Sequence, residues 1–337
     1  MKRIYIIIIV ICALIGAAIG IGYLVINQRV TVSDTTRIYI PDNSDYPSLV
    51  DTLDTHRCLS SHTCFNTMAR LRGLTKHVKA GSYIVTPNMR TIALVQKLYS
   101  GSQDPVRITI NKYRTLSDLC QFMGSKLEFD ADSLLALLTD TAFCTQYKLT
   151  PQTIIGMFPQ NTYEYYWTIK PANLIGRMYS EYERFWSERD SHLSDLGLTR
   201  EQVLTIASIV EEETNCNEEK PDIASVYLNR LRIGMPLQAD PTVKYAVGDF
   251  TIRRIRGDML KMDSPYNTYL HAGLPPGPIC IPSAASVDAV LKNKKTEYLY
   301  FCAKEDFSGR HNFAATVGEH IANARKFHKA LNERNIH

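Results

Sequence analysis

The chain has 337 residues, a net charge of +4, a hydrophobic fraction of 45% and a charged fraction of 21%. That balance excludes a disordered chain, and the mild basic excess gives no reason to expect a nucleic-acid partner. The sequence carries no internal repeat, low-complexity tract or cysteine–histidine spacing suited to a metal.

From Ile4 to Ile26 no residue is charged. The run is long enough to cross a bilayer as one helix, and longer than the apolar core of a cleaved signal peptide. The alternative is cleavage after Ala18 or Gly20. Lys2 and Arg3 precede the run and only Arg29 follows closely, so the positive-inside rule puts the amino end in the cytoplasm and the rest outside. Cys12 reads as a membrane-helix residue rather than a lipidation site, because Ile11 before it is not small.

Residues 30–106 read as a small α+β module. Arg37-Ile38-Tyr39-Ile40 alternates like a strand and stops at Pro41-Asp42-Asn43. Tyr46 to Leu53 and Cys64 to Leu71 are helical, the second closed by Gly73. Gly81 to Val85 is a strand, and Thr91 to Tyr99 a helix ending near Gly101. A strand, two short helices and a strand resemble the LysM-type carbohydrate-binding module; the alternative is a spacer without a ligand. Cys58 and Cys64 lie close enough in sequence to bridge in an oxidising compartment.

Residues 107–337 form a second, mixed α/β region. Val106 to Ile110 is a strand, and Thr115 to Leu127 and Ser133 to Leu138 are helices. Ile155 to Tyr163 is an apolar-to-turn segment without a helical period. Pro171 to about Ser191 is a long amphipathic helix, and Asp190 to Leu198 a loop. Thr199 and Gln202 then have the spacing of a capping box. The helix they open carries Val203, Leu204, Ile206, Ala207 and Val210 on one broad face and ends in Glu211-Glu212-Glu213. On that wheel Glu212 points away from the apolar centre, while Glu211 and Glu213 border it. A border carboxylate is where burial can raise a carboxyl toward general-acid duty. Periodicity does not choose between the two. The plain alternative is a solvated acidic helix end, disfavoured by the helix dipole.

Asn217 is placed to cap a following helix that buries Ile223, Val226, Tyr227 and Leu231 and stops at Gly234. Met235 to Tyr245, Ser264 to Tyr269 and Gly273 to Ile279 are rich in Pro and Gly, as shaped binding loops are. Tyr298 to Cys302 is a strand, and His311 to His328 is mostly helical.

Several motifs now stand in order. They are Phe158-Pro159-x-x-Thr162-Tyr163, Ala207-Ser208-Ile209-Val210-Glu211-x-Glu213-Thr214, Asn229-Arg230-Leu231 and Leu237-Gln238-x-Asp240-Pro241-Thr242-Val243-x-Tyr245. Tyr266-Asn267-Thr268-Tyr269, Gly273-Leu274-Pro275-Pro276-Gly277 and His311-x-Phe313-x-x-Thr316-x-x-Glu319-His320-x-x-Asn323 follow. Together they resemble the membrane-anchored endolytic murein transglycosylases, the MltG or YceG-like family, from about Gly81 to His328. The family often has Glu before the Gly of the Phe-Pro segment and Asp after its Pro; here these are Ile155 and Gln160.

The resemblance implies an α+β protein with an anchoring helix at 1–29, a LysM-like module at 30–106 and a transglycosylase domain at 107–337. It implies Glu211 as the catalytic acid, cleavage between N-acetylmuramic acid and N-acetylglucosamine, and a 1,6-anhydromuramyl end; the alternatives are a non-catalytic wall-binding scaffold and a muramidase-type hydrolase that leaves reducing ends. Metal and organic cofactors are not expected. The expected partners are glycan strands and peptidoglycan synthases at the inner membrane. Glu213, Gln238, Asp240, Tyr245, Tyr266, Asn267 and Tyr269 are candidate substrate contacts. Core packing is the alternative for the tyrosines, and a turn or helix cap, or a second carboxylate, for Asp240. His311 and His320 read as structural.

Overall fold

The computed structural model describes residues 2–252 and 254–334, in two compact units. The first comprises residues 1–108, 126–129 and 164–169; the second comprises 109–125, 130–163 and 170–337.

The first unit begins with α1 (Lys2–Asn27), whose Ile4, Tyr5, Ile9, Leu14, Ile19 and Tyr23 are exposed. The side chains of Ala18, Ile21 and residues 24–26 in the expected spanning run lie outside the described residues. Among the described residues, no helix is long and apolar enough to cross a membrane. Then come β1 (Thr36–Ile40), α2 (Tyr46–Thr55), α3 (His62–Arg72), β2 (Gly81–Val85) and α4 (Thr91–Ser100). β1 and β2 pair antiparallel, with Ile38 opposite Tyr83. The alternation of β1 turns Ile38 and Ile40 inward and leaves Tyr39 exposed. Asp45 caps α2, Ser61 caps α3, and Gly73 ends α3 at φ 80°, a left-handed conformation that glycine adopts without strain. Leu49, Leu53, Phe65, Met68, Leu94 and Leu98 complete the core around the ladder.

The expected Cys58–Cys64 disulfide is not formed. Both thiols are buried in this core, where they pack as small apolar groups. Burial pushes the Cys58 thiol up to about 11.

The chain continues through β3 (Val106–Ile110), α5 (Leu116–Lys126), α6 (Ala131–Thr139), α7 (Thr141–Thr145), β4 (Asn161–Tyr165), α8 (Pro171–Ser187) and α9 (Leu193–Leu196). β3 and β4 pair with each other. The segment expected to be irregular at Ile155–Tyr163 is thus a 3₁₀ turn over Ile154–Met157 followed by the start of β4. Likewise, the loop expected at Asp190–Leu198 contains a short 3₁₀ turn and α9.

α10 (Arg200–Glu213), α11 (Lys220–Arg232), α12 (Asp240–Val247) and α13 (Ala284–Leu291) follow. α10 packs on both α11 and α13. Its capping box is formed: Thr199 Oγ1 accepts from Gln202 N, and Gln202 Oε1 accepts from Thr199 N. Such a cap is worth about 1 kcal/mol. The helix is more deeply set than a one-faced pattern implies, because every residue from Val203 to Val210 is buried. The polar members tolerate this by bonding their own helix: Thr205 Oγ1 donates to Glu201 O at 2.7 Å and Ser208 Oγ to Thr205 O at 2.8 Å. Ser208 Oγ also accepts from Ile279 N at 3.0 Å, tying α10 to the irregular segment before α13. That segment approaches closely at Gly277, where a Cβ would meet Gln152 O at 2.1 Å. Only glycine fits there.

Asn217 does not cap α11. The helix begins later, with Glu219 at its N-cap and Pro221 in its first turn. Proline's missing N–H costs nothing at a helix start, which moves the boundary toward it. β5 (Tyr300–Ala303) pairs antiparallel with β6 (His311–Ala314), and α14 (Val317–Glu333) packs on both. The stretch expected to be helical from His311 is therefore strand up to Ala314. The helix starts after a second capping box, Thr316 with Glu319.

Candidate functional site

The last turn of α10 leaves the core with Glu211, Glu212 and Glu213 all half-buried. Each carboxylate has its own set of partners, so the end is not simply solvated.

Glu211 is held through one oxygen. Its Oε2 accepts from Lys220 Nζ at 2.9 Å, from Ser283 Oγ at 2.5 Å and from the Ser286 hydroxyl. Ser283 N approaches the same oxygen at 3.3 Å. Lys220 lies in the first turn of α11; Ser283 is the N-cap of α13, and Ser286 lies in its first turn. Lys220 is only 4% exposed and also donates to Ser283 Oγ at 3.2 Å. Among the described residues no hydrogen bond reaches Glu211 Oε1. Burial pushes this carboxyl up, but the bonds from Ser283, Ser286 and Lys220 outweigh it and hold the group below its ordinary range. The resting side chain is a carboxylate.

Glu212 points the other way, as the wheel implies, but into a clamp rather than into water. Arg114 Nε and Nη2 donate to its two oxygens at 2.9 and 2.8 Å, and Lys112 Nζ stands 3.4 Å off. Arg114 also lies 5.0 Å over the ring of Phe250.

Glu213 Oε1 accepts from Tyr227 Oη at 2.6 Å. Burial, and after it the charge of Asp240, pushes Glu213 up to about 7; the Tyr227 hydrogen bond and Lys244 pull against them. Tyr227 is buried on α11, and burial beside Glu213 drives its phenol well above the usual range. The last turn of α10 thus carries an ionised Glu211 and a Glu213 poised near neutrality.

Asp240 does not act as a helix cap. Ala239 occupies the N-cap of α12 without a side-chain bond, and exposed Asp240 instead accepts from Tyr269 Oη at 2.6 Å. Gln238 is exposed at φ 48°. That conformation costs a non-glycine residue about 1 kcal/mol or more. Its N–H donates to Thr268 O at 3.1 Å, and Arg230 Nη1 donates to Leu237 O at 2.6 Å just before it. Arg230 also donates to Leu299 O, and Asn229 Nδ2 to Thr296 O and Tyr298 O. Within the Asn-Arg-Leu motif, Arg230 is therefore a brace for the loop that carries Gln238 and Asp240, while Asn229 holds the segment before β5.

Tyr245 and Tyr266 are half-buried, their ring centroids 4.6 Å apart. Asn267 does not fit its expected place as a substrate contact. It is fully buried, its Nδ2 donates to Leu260 O and Met262 O, and its Oδ1 accepts from Tyr269 N. Both ends of the amide are spent on the loop that aims Tyr266 and Tyr269. Gln160 donates to Ile281 O at 2.7 Å and Ile155 is buried, so both departures in the Phe-Pro segment serve packing. His311 pairs with Glu219 and His320 stacks on Tyr300. Among the described residues no group of three His, Cys, Asp or Glu could hold a metal ion.

Sequence reasoning missed Lys220, Ser283, Ser286 and Arg114. No local pattern marks them, since the serines and the arginine lie 72 to 98 residues from the carboxylates they serve. A cleft of about 740 Å³ between residues 295–298, β6 and α14 lies apart from all these carboxylates.

A family model described as the YceG-like family matches residues 38–326. The endolytic murein transglycosylase of Bacillus subtilis (strain 168) is 31% identical over 318 residues, covering 89% of this chain and 87% of the relative. That of Streptococcus pneumoniae serotype 2 (strain D39 / NCTC 7466) is 28% identical over 326 residues, covering 86% of this chain and 59% of the relative. The crystal structure of a yceG-like protein from Listeria monocytogenes superposes with a TM-score of 0.58 at 28% identity, covering 86% of this chain and 99% of that one.

Proposed function

The chain belongs to the YceG-like family, and on that premise we propose that it is an endolytic murein transglycosylase in which Glu211 is the acid and then the base. The observation that carries the assignment is the one-sided hold on Glu211. Oε2 is fixed from α11 and α13, and Oε1 has no bond among the described residues.

Hydrolysing a glycosidic bond ordinarily takes two carboxylates, one acid and one base or nucleophile. A lytic transglycosylase needs only one. Glu211 acts as acid through its minor, protonated form, which gives its proton to the glycosidic oxygen leaving the muramyl C1. The carboxylate formed then takes the proton of the muramyl 6-hydroxyl, whose oxygen closes on C1 to leave a 1,6-anhydromuramyl end. The nucleophile is tethered, which for well-oriented groups is worth effective concentrations of about 10⁵–10⁸ M. Ser283 and Ser286 hold Oε2 through both halves of this cycle, because a hydroxyl can donate to that oxygen whether or not Oε1 carries a proton. Gln238, Tyr245, Tyr266 and Tyr269 are the residues we assign to the sugar.

α1 anchors the chain in the cytoplasmic membrane with residues 30–337 outside. The uncharged run Ile4–Ile26 and the exposed isoleucines of α1 support this reading. The strand–helix–helix–strand order of residues 36–85 supports a LysM-like module that holds glycan. Strand synthesis at the same membrane makes peptidoglycan synthases the expected neighbours, and internal cleavage ends nascent strands.

A second reading, with Glu213 as the acid, rests on its carboxyl lying near 7. Mass analysis of uncrosslinked glycan strands digested by the purified protein tests both. The wild type should leave anhydromuramyl ends, and Glu211→Gln should lose activity by about 10²–10⁴-fold or more. A Glu211→Gln enzyme that turns over normally beside a dead Glu213→Gln would transfer the role. Reducing muramyl ends from the wild type would overturn the mechanism.

A further inference from the structure

We infer that Lys220 is a positioning residue for the reaction: pinning Glu211 by Oε2 and orienting the Ser283 hydroxyl, it makes Oε1 the oxygen that carries the proton. The inference rests on the reading of Glu211 as the acid.

Lys220 is almost completely buried, a position a lysine keeps only when paired. Its two partners belong to one site, Glu211 Oε2 at 2.9 Å and Ser283 Oγ at 3.2 Å. A buried ion pair is weak evidence for stability, since apolar groups of like volume often serve the fold as well. Its effect on protons is specific. An ammonium only donates. It therefore occupies one lone pair of Ser283 Oγ and leaves that hydroxyl to donate onward to Glu211 Oε2. Ser286 donates to the same oxygen. Protonating Oε2 would set a new proton against an ammonium and two hydroxyl hydrogens; protonating Oε1 displaces none of them.

The charged and titratable groups around Glu211 allow the effect to be read. α11 contributes Lys220. The segment before α13 contributes Cys280, buried and with its thiol raised chiefly by burial. Glu212 and Glu213 lie on the same helix. Lys112 and Arg114 neutralise Glu212, and Asp240 and Lys244 from α12 face Glu213. Lys220 is the cation in direct contact with Glu211, so its removal raises the carboxyl.

The test is the pH dependence of kcat/KM for the full chain in detergent on uncrosslinked glycan strands, followed from about pH 9 down to about pH 3 so that the wild-type limb, below the ordinary carboxylate range, falls inside the window. Lys220→Met should lower the plateau rate about 10²-fold, through a misheld acid. It should also move the alkaline limb up by about one to three pH units, through loss of the adjacent charge. Lys220→Arg should return the limb to its wild-type place. Lys220→Gln removes the charge but keeps a polar side chain and should move the limb in the same direction, which keeps the test open if Lys220→Met fails to fold. Loss of rate with an unmoved limb in whichever of these two variants folds would make Lys220 merely structural and overturn the inference. So would an unchanged Lys220→Met enzyme. Failure of the premise is separate: it appears as wild-type turnover by Glu211→Gln, whatever Lys220→Met does.

Discussion

Arg114 grips Glu212 through two parallel hydrogen bonds, Nε to Oε1 at 2.9 Å and Nη2 to Oε2 at 2.8 Å, across 98 residues of sequence. The bidentate fork fixes both planes, and the Glu212 side chain is only 12% exposed. The clamp relieves the charge crowding that three successive carboxylates create at a helix end where the dipole already disfavours them.

Glu212→Gln should therefore cost stability rather than chemistry. We expect about 1.5–3 kcal/mol, the range for hydrogen bonds to a charged group. Arg114→Lys should lose a similar amount, because a lysine cannot reproduce the fork. Urea denaturation of the single and double variants measures the coupling between the two. Additive losses would show that the pair contributes nothing as a pair.

The proposed membrane anchor makes a separate prediction. Carboxyl-terminal reporter fusions should be active only outside the cytoplasm, and the chain should remain in the membrane fraction after a high-salt wash. Deleting residues 1–29 should release it. Activity of a cytoplasmic reporter at the carboxyl end would place the catalytic domain on the wrong side.

Cys58 and Cys64 should behave as protected thiols. With Cys58 held up to about 11, its thiolate fraction near pH 8 is about 10⁻³, and burial denies access besides. Maleimide should label both slowly in the native protein and fully after denaturation without reductant. A peptide pair joined through both cysteines in an unreduced digest would restore the disulfide.

What the sequence made legible is local. The Thr199–Gln202 box, the buried run of α10 and the β1 alternation each depend on neighbours within a turn or a strand, so spacing alone predicts them. What it hid is tertiary. Asp240 has the neighbourhood of a cap, Pro241 included, but the chain enters α12 one residue earlier and leaves its carboxylate to Tyr269. Asn267 looks like a sugar ligand because Asn in a Pro-rich loop is usually exposed. Here it is the buried strut of that loop. Lys220 and Ser283 meet at Glu211 only because α11 and α13 both pack against α10. No periodicity within either helix encodes that meeting.

Glu213 supplies the last prediction, because its carboxyl is raised to about 7 from an ordinary 4.5, first by burial and then by Asp240. The folded state thus holds a proton that the unfolded state has released, between those two values. Stability must then fall as pH rises through that window, and the penalty is fully present above about 7. The interval corresponds to at most about 3 kcal/mol, and to about half that once water screens a half-buried side chain. Glu211 does not contribute to this slope. Its carboxyl is lowered, so its stabilisation is complete above the ordinary carboxylate range and is lost only at lower pH. His320, lowered by burial and by Arg230, contributes with the opposite sign: its share of stability grows as pH rises toward 6.5. The informative quantity is therefore the difference between the wild type and Glu213→Gln, in which His320 cancels. Denaturation midpoints should show Glu213→Gln gaining on the wild type from about pH 5 to about pH 8, with the gain levelling off above the window. Its activity should fall only partly, through loss of the carboxylate partner of Tyr227 and of the charge beside Asp240. A constant stability difference across this range would mean that Glu213 is ionised throughout. Complete loss of anhydromuramyl product, in a protein whose stability had risen as expected, would make Glu213 the acid in place of Glu211.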